Sequence, residues 1–253
     1  MQKLSATISL LFVATSAFAQ WTLNSIQSEP GAAKGIEHRY VVFENSETGD
    51  RASLEAAIFS TKSCRLRLVD QPGDSQLDLA QVMPRENALA GVNGGYFDPD
   101  YSPIGLRIAN GQTTAPLRHA RLLTGVLFSA GGKVQIVRPA DFAAKKVDMA
   151  IECGPMLVDG GKPVHGLEAT RPARRTFVAV GSGDRAAIGF CSDVTLADLA
   201  GIVANPLGDF KIQRALNLDG GSSSAFWFKR RSGSAFSISE AKTVRDFLAV
   251  VPK

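Results

Sequence analysis

The sequence predicts an α+β fold: one domain with a hairpin-rich, mixed β-sheet core and a few helices. Three observations carry this. Short runs alternating apolar and polar residues fill most of the chain, the period-2 signature of half-buried strands. Asn-Gly, Asp-Gly and Gly-Gly turns recur between them. The 253 residues, 45% hydrophobic and 21% charged, suit one large core with no linker or repeat.

The N-terminal stretch "MQKLSATISLLFVATSAFAQ" is set apart from the fold. Lys3, an apolar run and the small-x-small site Ala17-Phe18-Ala19 read as a signal peptide over residues 1–19. Residues 20–253 then form the exported domain, periplasmic or secreted. No other run is long and apolar enough to span a bilayer. Removing Lys3 takes the formal charge from +4 to +3. The basic residues are dispersed, and the one tight cluster, Lys229–Arg231, reads as a solvated hairpin tip. Nucleic acid is therefore not an expected partner.

The domain opens with strands over "HRYVVFE", "ASLEAAIF" and "CRLRLVD". A helix is expected in "QLDLAQVMPREN" as far as Pro84. Hairpins follow at Asn110-Gly111, Gly131-Gly132, Asp159-Gly160 and Gly181–Asp184. A weaker helical pattern lies in "PADFAAKKVD". The clearest helix is "TLADLAGIVAN", with Thr195 as its cap, Asp198 in its first turn and Pro206 as its stop. An exported chain with Cys64, Cys153 and Cys191 is expected to form one disulfide, most readily Cys153–Cys191. The three histidines, His38, His119 and His165, are scattered and read as surface or hydrogen-bonded structural groups.

Four stretches carry chemistry. "GVNGGYFD" runs an apolar strand into Asn93-Gly94-Gly95, and "LNLDGGSSS" runs another into Asp219-Gly220-Gly221. Glycine lets another group approach the backbone closely, and strand ends are common places for site residues. The aromatics that follow, Tyr96 and Phe97, then Phe226 and Trp227, could supply faces for a sugar ring. "IECGPML" ends an apolar strand on Glu152. "PARRTFVAVG" puts Arg174 and Arg175 at a strand mouth, where one guanidinium could point inward and grip a phosphate with two prongs.

These stretches, with "GPMLVDGGKPV", "SDVTLADLAGIV" and the closing "FLAVVPK", stand in the order found in the phosphodiester glycosidase family, which the chain resembles from Ala90 to Lys253. The resemblance implies hydrolysis of a sugar joined through its anomeric carbon to a phosphodiester, which is either a small molecule or part of a glycan. It implies site roles for Asn93, Gly94 and Gly95, for Glu152 with Gly154 and Pro155, for Arg175, and for Asp219, Gly220, Gly221 and Ser222. "FVAV" at Phe177–Val180 is bulkier than the family's usual small-residue version, which bears on pocket shape.

The chemistry fits the residue types. Glycoside cleavage usually employs two carboxylates, here Asp219 and Glu152. Arg175, with Arg245 as a second candidate, would clamp the phosphate. No cofactor is required, although Asp193, Asp219 and backbone carbonyls are hard ligands that suit Ca²⁺. Two other classes fit parts of the pattern. One is a non-catalytic envelope protein that binds glycan or phosphate. The other is a phosphodiesterase that breaks the P–O bond, a chemistry that leans on clustered metal ligands.

Overall fold

The computed structural model describes residues 21–71, 77–143 and 145–253; the expected signal peptide lies outside them. In chain order the elements begin with β1 (Trp21–Pro30), β2 (Ile36–Asn45), β3 (Arg51–Ser60), β4 (Cys64–Asp70), α1 (Leu79–Arg85), β5 (Ala90–Asn93), β6 (Arg107–Ala109) and β7 (Gln112–Ala115). Then come β8 (Gly125–Ala130), β9 (Lys133–Val137), β10 (Met149–Cys153), β11 (Met156–Asp159), β12 (Lys162–Pro163), β13 (Ala173–Gly181) and β14 (Arg185–Val194). The chain ends with α2 (Leu196–Ala204), β15 (Ile212–Asn217), β16 (Phe226–Lys229), β17 (Ala235–Ile238) and β18 (Asp246–Pro252).

The strands form one eight-stranded sheet, β1-β2-β3-β14-β13-β15-β11-β12, and two five-stranded sheets, β7-β6-β10-β8-β9 and β17-β16-β5-β18-β4. Pairing between these strands is antiparallel throughout the described residues rather than mixed. Turn chemistry explains much of this. Asn110-Gly111, Gly131-Gly132 and Gly160-Gly161 all have positive φ at both positions, the geometry of two-residue type I′ hairpins. The third turn is centred one residue beyond Asp159-Gly160, because Asp159 pairs with Lys162 in the ladder. Lys229–Arg231 does lie at a hairpin tip, between β16 and β17.

Alternation along the strands builds a central core and outer ones. Phe59, Leu66, Val92, Ile151, Val178, Leu216, Phe226 and Leu248 meet where the three sheets face one another. Their neighbours of opposite parity face outward into separate clusters. Ile58, Phe177 and Cys191 are covered by Leu199, Ile202 and Val203 of α2. Trp227, Phe247 and Ala249 are covered by Leu79 and Met83 of α1. Each such large side chain, taken out of water, contributes about 1.5–3 kcal/mol.

Thr195 caps α2 as expected, and its hydroxyl accepts the Asp198 amide while the Asp198 carboxylate reaches back to Thr195. Such a capping box satisfies two amides that the first turn cannot. α1 runs one residue past Pro84, which sits too close to the helix end to break it. Among its described residues, the "PADFAAKKVD" stretch makes no α-helix. Only a 3₁₀ turn forms, at Pro139–Asp141. Phe142 instead packs edge-on against Phe128. The expected disulfide is also absent. All three cysteines are free and buried, and Cys153 belongs to the central core while Cys191 belongs to the α2 side of the large sheet. The backbone of the large sheet separates them.

Candidate functional site

The site grows from three strand ends. β15 ends at Asn217, and the chain passes through the buried Leu218 to Asp219, which is half-buried. The Asp219 amide donates to the Gly94 carbonyl (3.1 Å), and the Asn93 side-chain amide donates to the Asp219 carbonyl (2.8 Å). Asp219 therefore hangs from the end of β5 across 126 residues of sequence. Its carboxylate accepts the Gly220 amide at 2.9 Å. Burial pushes its pKa up from the ordinary carboxylate value. Ser223, the Gly220 amide and Lys242 oppose that shift, while the Asp246 charge adds to it.

Tyr96 completes the wall. Its hydroxyl donates to the Gly154 carbonyl and accepts from Asn217 Nδ2 at 3.0 Å. Burial raises its pKa well above the usual phenol value, with the Cys153 and Asp219 charges adding to the shift, and Asn217 and Arg175 oppose it. Arg175 lies beside Gly220. A Cβ on Gly220 would stand 3.8 Å from both Cδ and Nη1 of Arg175. Arg175 Nε donates to the Val194 carbonyl (3.0 Å) and Nη2 to the Arg171 carbonyl (2.7 Å). Burial lowers its pKa, with the nearby Glu168 carboxylate opposing. Next to it, Gly221 has φ +63°, a Cβ placed there would meet no atom within 4 Å, and Ser222 is exposed. Open space thus adjoins Gly221, two residues beyond Asp219.

The other sequence-predicted residues take different places. Asn93 is fully buried and spent on the scaffold: its Oδ1 accepts from Thr176 Oγ1 (2.7 Å) and the Ala225 amide (3.0 Å). The Gly94 and Gly95 amides do not face the opening. Both donate at 2.8 Å to Asp246, to its carbonyl and its Oδ1 respectively. Phe226 and Trp227 are core residues, not a sugar platform. Tyr96 and Phe97 stay partly accessible, with Lys242 above the Phe97 ring at 5.1 Å. Arg174 braces the loop after Asp219 by donating to the Ser224 and Ser239 carbonyls. Arg245 turns to β4, where it pairs with Asp70 at 2.8 Å.

Glu152 does not join Asp219. Along β10 the odd positions Met149, Ile151 and Cys153 face the central core, whereas Ala150 faces the outer side of its sheet. Glu152 shares the parity of Ala150. Its Oε2 accepts the Leu106 amide (3.0 Å) and the Arg118 amide (2.9 Å), and it is fully buried. Gly154, one residue past β10, lies against the chain of a neighbouring loop. A Cβ there would stand 2.1 Å from the Leu122 carbonyl. Among the described residues, no three His, Cys, Asp or Glu side chains gather as a metal site around Asp193, Asp219 or elsewhere. No helix among them is long and apolar enough to cross a membrane.

Two further residues were not singled out from the sequence. Arg107 and Asp246 form an ion pair at 2.8 Å with both side chains fully buried. A charged residue at the head of an apolar strand is the one signal that "RIA" and "DFLAVVP" offered.

The profile of the phosphodiester glycosidase family matches residues 86–251. The uncharacterized protein YigE of Escherichia coli strain K12 is 36% identical over 91 residues, a segment that is 33% of this chain and 36% of YigE. The catalytic domain of zebrafish N-acetylglucosamine-1-phosphodiester alpha-N-acetylglucosaminidase, auto-inhibited by its pro-peptide, superposes with a TM-score of 0.66 at 13% identity, covering 90% of this chain and 88% of that one. A candidate exported protein of Burkholderia pseudomallei K96243 superposes with a TM-score of 0.59 at 13% identity, covering 81% of this chain and 75% of that one. These two structures share the fold.

Proposed function

The chain belongs to the phosphodiester glycosidase family, and on that premise we propose that it is an exported hydrolase that cleaves the glycosidic C–O bond of a sugar-1-phosphodiester. Asp219 is the catalytic carboxylate and Arg175 the phosphate anchor. The observation that carries this reading is the convergence of both side chains on Gly220, with open space beside Gly221.

The roles follow from the chemistry. A phosphate monoester leaves readily, so its departure needs little help from a general acid. Positive charge then develops at the anomeric carbon. The Asp219 carboxylate can stabilise that charge or attack the carbon, a task that favours a preorganised anion in a partly dry site. Arg175, held by two carbonyls at Nε and Nη2, presents its remaining edge to the phosphate. Tyr96 and the exposed hydroxyl of Ser222 are the neighbours available to sugar. Glu152 has no part in this scheme, because both of its amide bonds tie it to the far side of β10.

The test is incubation with a panel of sugar-1-phosphodiesters in ¹⁸O-water. Released phosphate that carries no label supports the reading, since the anomeric hydroxyl of a free sugar also exchanges with water by itself. Label in the released phosphate assigns P–O cleavage instead. Binding of the panel without turnover of any member assigns a glycan- or phosphate-binding protein.

A further inference from the structure

We propose that Arg107 and Asp246 are the positioning residues of this site: the pair fixes the ends of β5 and β10 and thereby sets where Asp219 and Tyr96 stand. This rests on the assignment of Asp219 as the working carboxylate.

The geometry runs through named atoms. Asp246 accepts from Gly95 with Oδ1, from Gly94 with its carbonyl, and from Arg107 Nε with Oδ2, each at 2.8 Å. The Gly94 carbonyl in turn accepts the Asp219 amide. Asp246 is thus two hydrogen bonds from the Asp219 backbone. Arg107 works on the other strand end. Its Nη2 donates to the Tyr96 carbonyl (3.0 Å), and its Nη1 donates to the carbonyls of Leu106 (3.0 Å), Glu152 (3.2 Å) and Ile104 (3.3 Å). Tyr96 then reaches Gly154, just past β10, through its hydroxyl.

The glycines explain why the pair can sit so close. A Cβ on Gly94 would stand 1.8 Å from Asp246 Oδ1, and one on Gly95 would stand 2.2 Å from Arg107 Nη2. The Asn-Gly-Gly motif therefore makes room for an internal charge pair, not for substrate. Removing two charges from water is costly, and a well-packed apolar pair of similar volume is often as stable. The pair has a second effect that apolar residues would lack. Burial is the main cause that raises the Asp219 carboxyl, and the Asp246 charge adds to it, against Ser223, the Gly220 amide and Lys242. The other ionisable groups facing this region are Arg175, Tyr96 and Cys153 on the Asp219 side and Asp70 with Arg245 on the β4 side.

The test uses the intact exported protein labelled with ¹³C at aspartate carboxyls and tyrosine Cζ, with Asp219 and Tyr96 assigned from Asp219→Asn and Tyr96→Phe. Asp246→Asn removes the anion and leaves Arg107 unpaired. The Asp219 carboxyl should then titrate at lower pH, and the Tyr96 resonance should move. A second variant, Arg107→Met with Asp246→Asn, carries no charge at these two positions and keeps an acceptor for Gly95, so it guards against a failure to fold. Its Tyr96 resonance should also move. On any phosphodiester the wild type turns over, kcat should fall on the order of 10²-fold in both variants, the loss associated with about 1 Å of misplacement, with KM changed less than kcat. A folded variant with wild-type Asp219 titration, Tyr96 resonance and kcat overturns the proposal. If the wild type turns over no phosphodiester, the functional reading fails, and the two resonances still decide the positioning role.

Discussion

Replacing Arg175 by lysine separates two tasks of one side chain. In the structure the side chain is 12% exposed, donates to the Val194 and Arg171 carbonyls and pairs with Glu168 at 3.9 Å. Lysine keeps the charge but has one nitrogen on a flexible stem. It can reach one of those carbonyls or a bound phosphate, not all three. A hydrogen bond from a charged donor contributes about 1.5–3 kcal/mol. Losing one of the two carbonyl bonds should therefore lower Tm by roughly 3–12 °C, at about 2–4 °C per kcal/mol for a domain of this size. Losing one prong on phosphate should weaken ligand binding by roughly 10- to 100-fold. Differential scanning calorimetry reads the first effect. Titration calorimetry with a non-hydrolysable phosphonate analogue of a sugar-1-phosphodiester reads the second, at a temperature where both proteins are folded. A lowered Tm with an unchanged Kd would refute the phosphate role and leave Arg175 as a brace between β13 and the loop at Arg171.

Three other outcomes are expected. Asp219→Asn should lower turnover by about 10²-fold or more while leaving Tm at neutral pH no lower than wild type. The sign follows from a carboxyl whose folded pKa lies above its unfolded one: its ionisation opposes folding, an effect absent below the unfolded pKa and complete once pH has risen past the folded one. Melting curves from pH 3 to 7 compare the two proteins, and a variant that loses stability relative to wild type as pH rises in that window counts against it. Gly154→Ala should destabilise the fold and disturb the site together, because its Cβ would lie 2.1 Å from the Leu122 carbonyl and 2.9 Å from the Thr124 amide, and backbone cannot step aside cheaply. A denaturation midpoint within error of wild type would contradict that packing. Finally, burial pushes the Cys153 and Cys191 thiols up to about 12, so neither should react with a thiol reagent in the native state and all three cysteines should react after unfolding; a disulfide-linked peptide in a non-reducing digest would overturn this.

The hairpins were legible because their signals are local. Asn110-Gly111 and the double glycines specify their turns within two residues, and Thr195 with Asp198 specifies a helix start within four. The positions of Asp219 and Arg175 near strand ends were legible for a related reason: polar groups at the ends of apolar strands have few places to go but a sheet rim. The failures share another cause. "MAIEC" is apolar at both parities, and the strand is buried on both faces, so nothing in the sequence told whether Glu152 or Cys153 faced the central core. "AFWF" was ambiguous in the same way, and both of its candidate aromatics, Phe226 and Trp227, are buried in cores. The Arg107–Asp246 pair joins residues 139 apart, and a single sequence carries no record of such a pairing.

The placement of Glu152 bears on the reaction itself. An ordinary glycosidase needs a second carboxyl because an alcohol leaves poorly without a proton. The two groups must then flank one bond. Here one carboxylate stands at the opening, and the other is held on the far side of β10 by the Leu106 and Arg118 amides. A phosphodiester substrate removes the need for the second group, since the departing phosphate takes the electron pair and Arg175 can balance its charge. The arrangement that would disable a hydrolase of ordinary glycosides is therefore compatible with one that acts on sugar phosphodiesters. The proposed chemistry then requires a substrate preference: turnover should fall steeply as the leaving group becomes more basic, with an aryl or phosphoryl aglycone cleaved and an alkyl glycoside left intact. Comparable rates on an alkyl glycoside and a sugar-1-phosphodiester would mean that a proton donor acts in this site, and the single-carboxylate scheme would have to be abandoned.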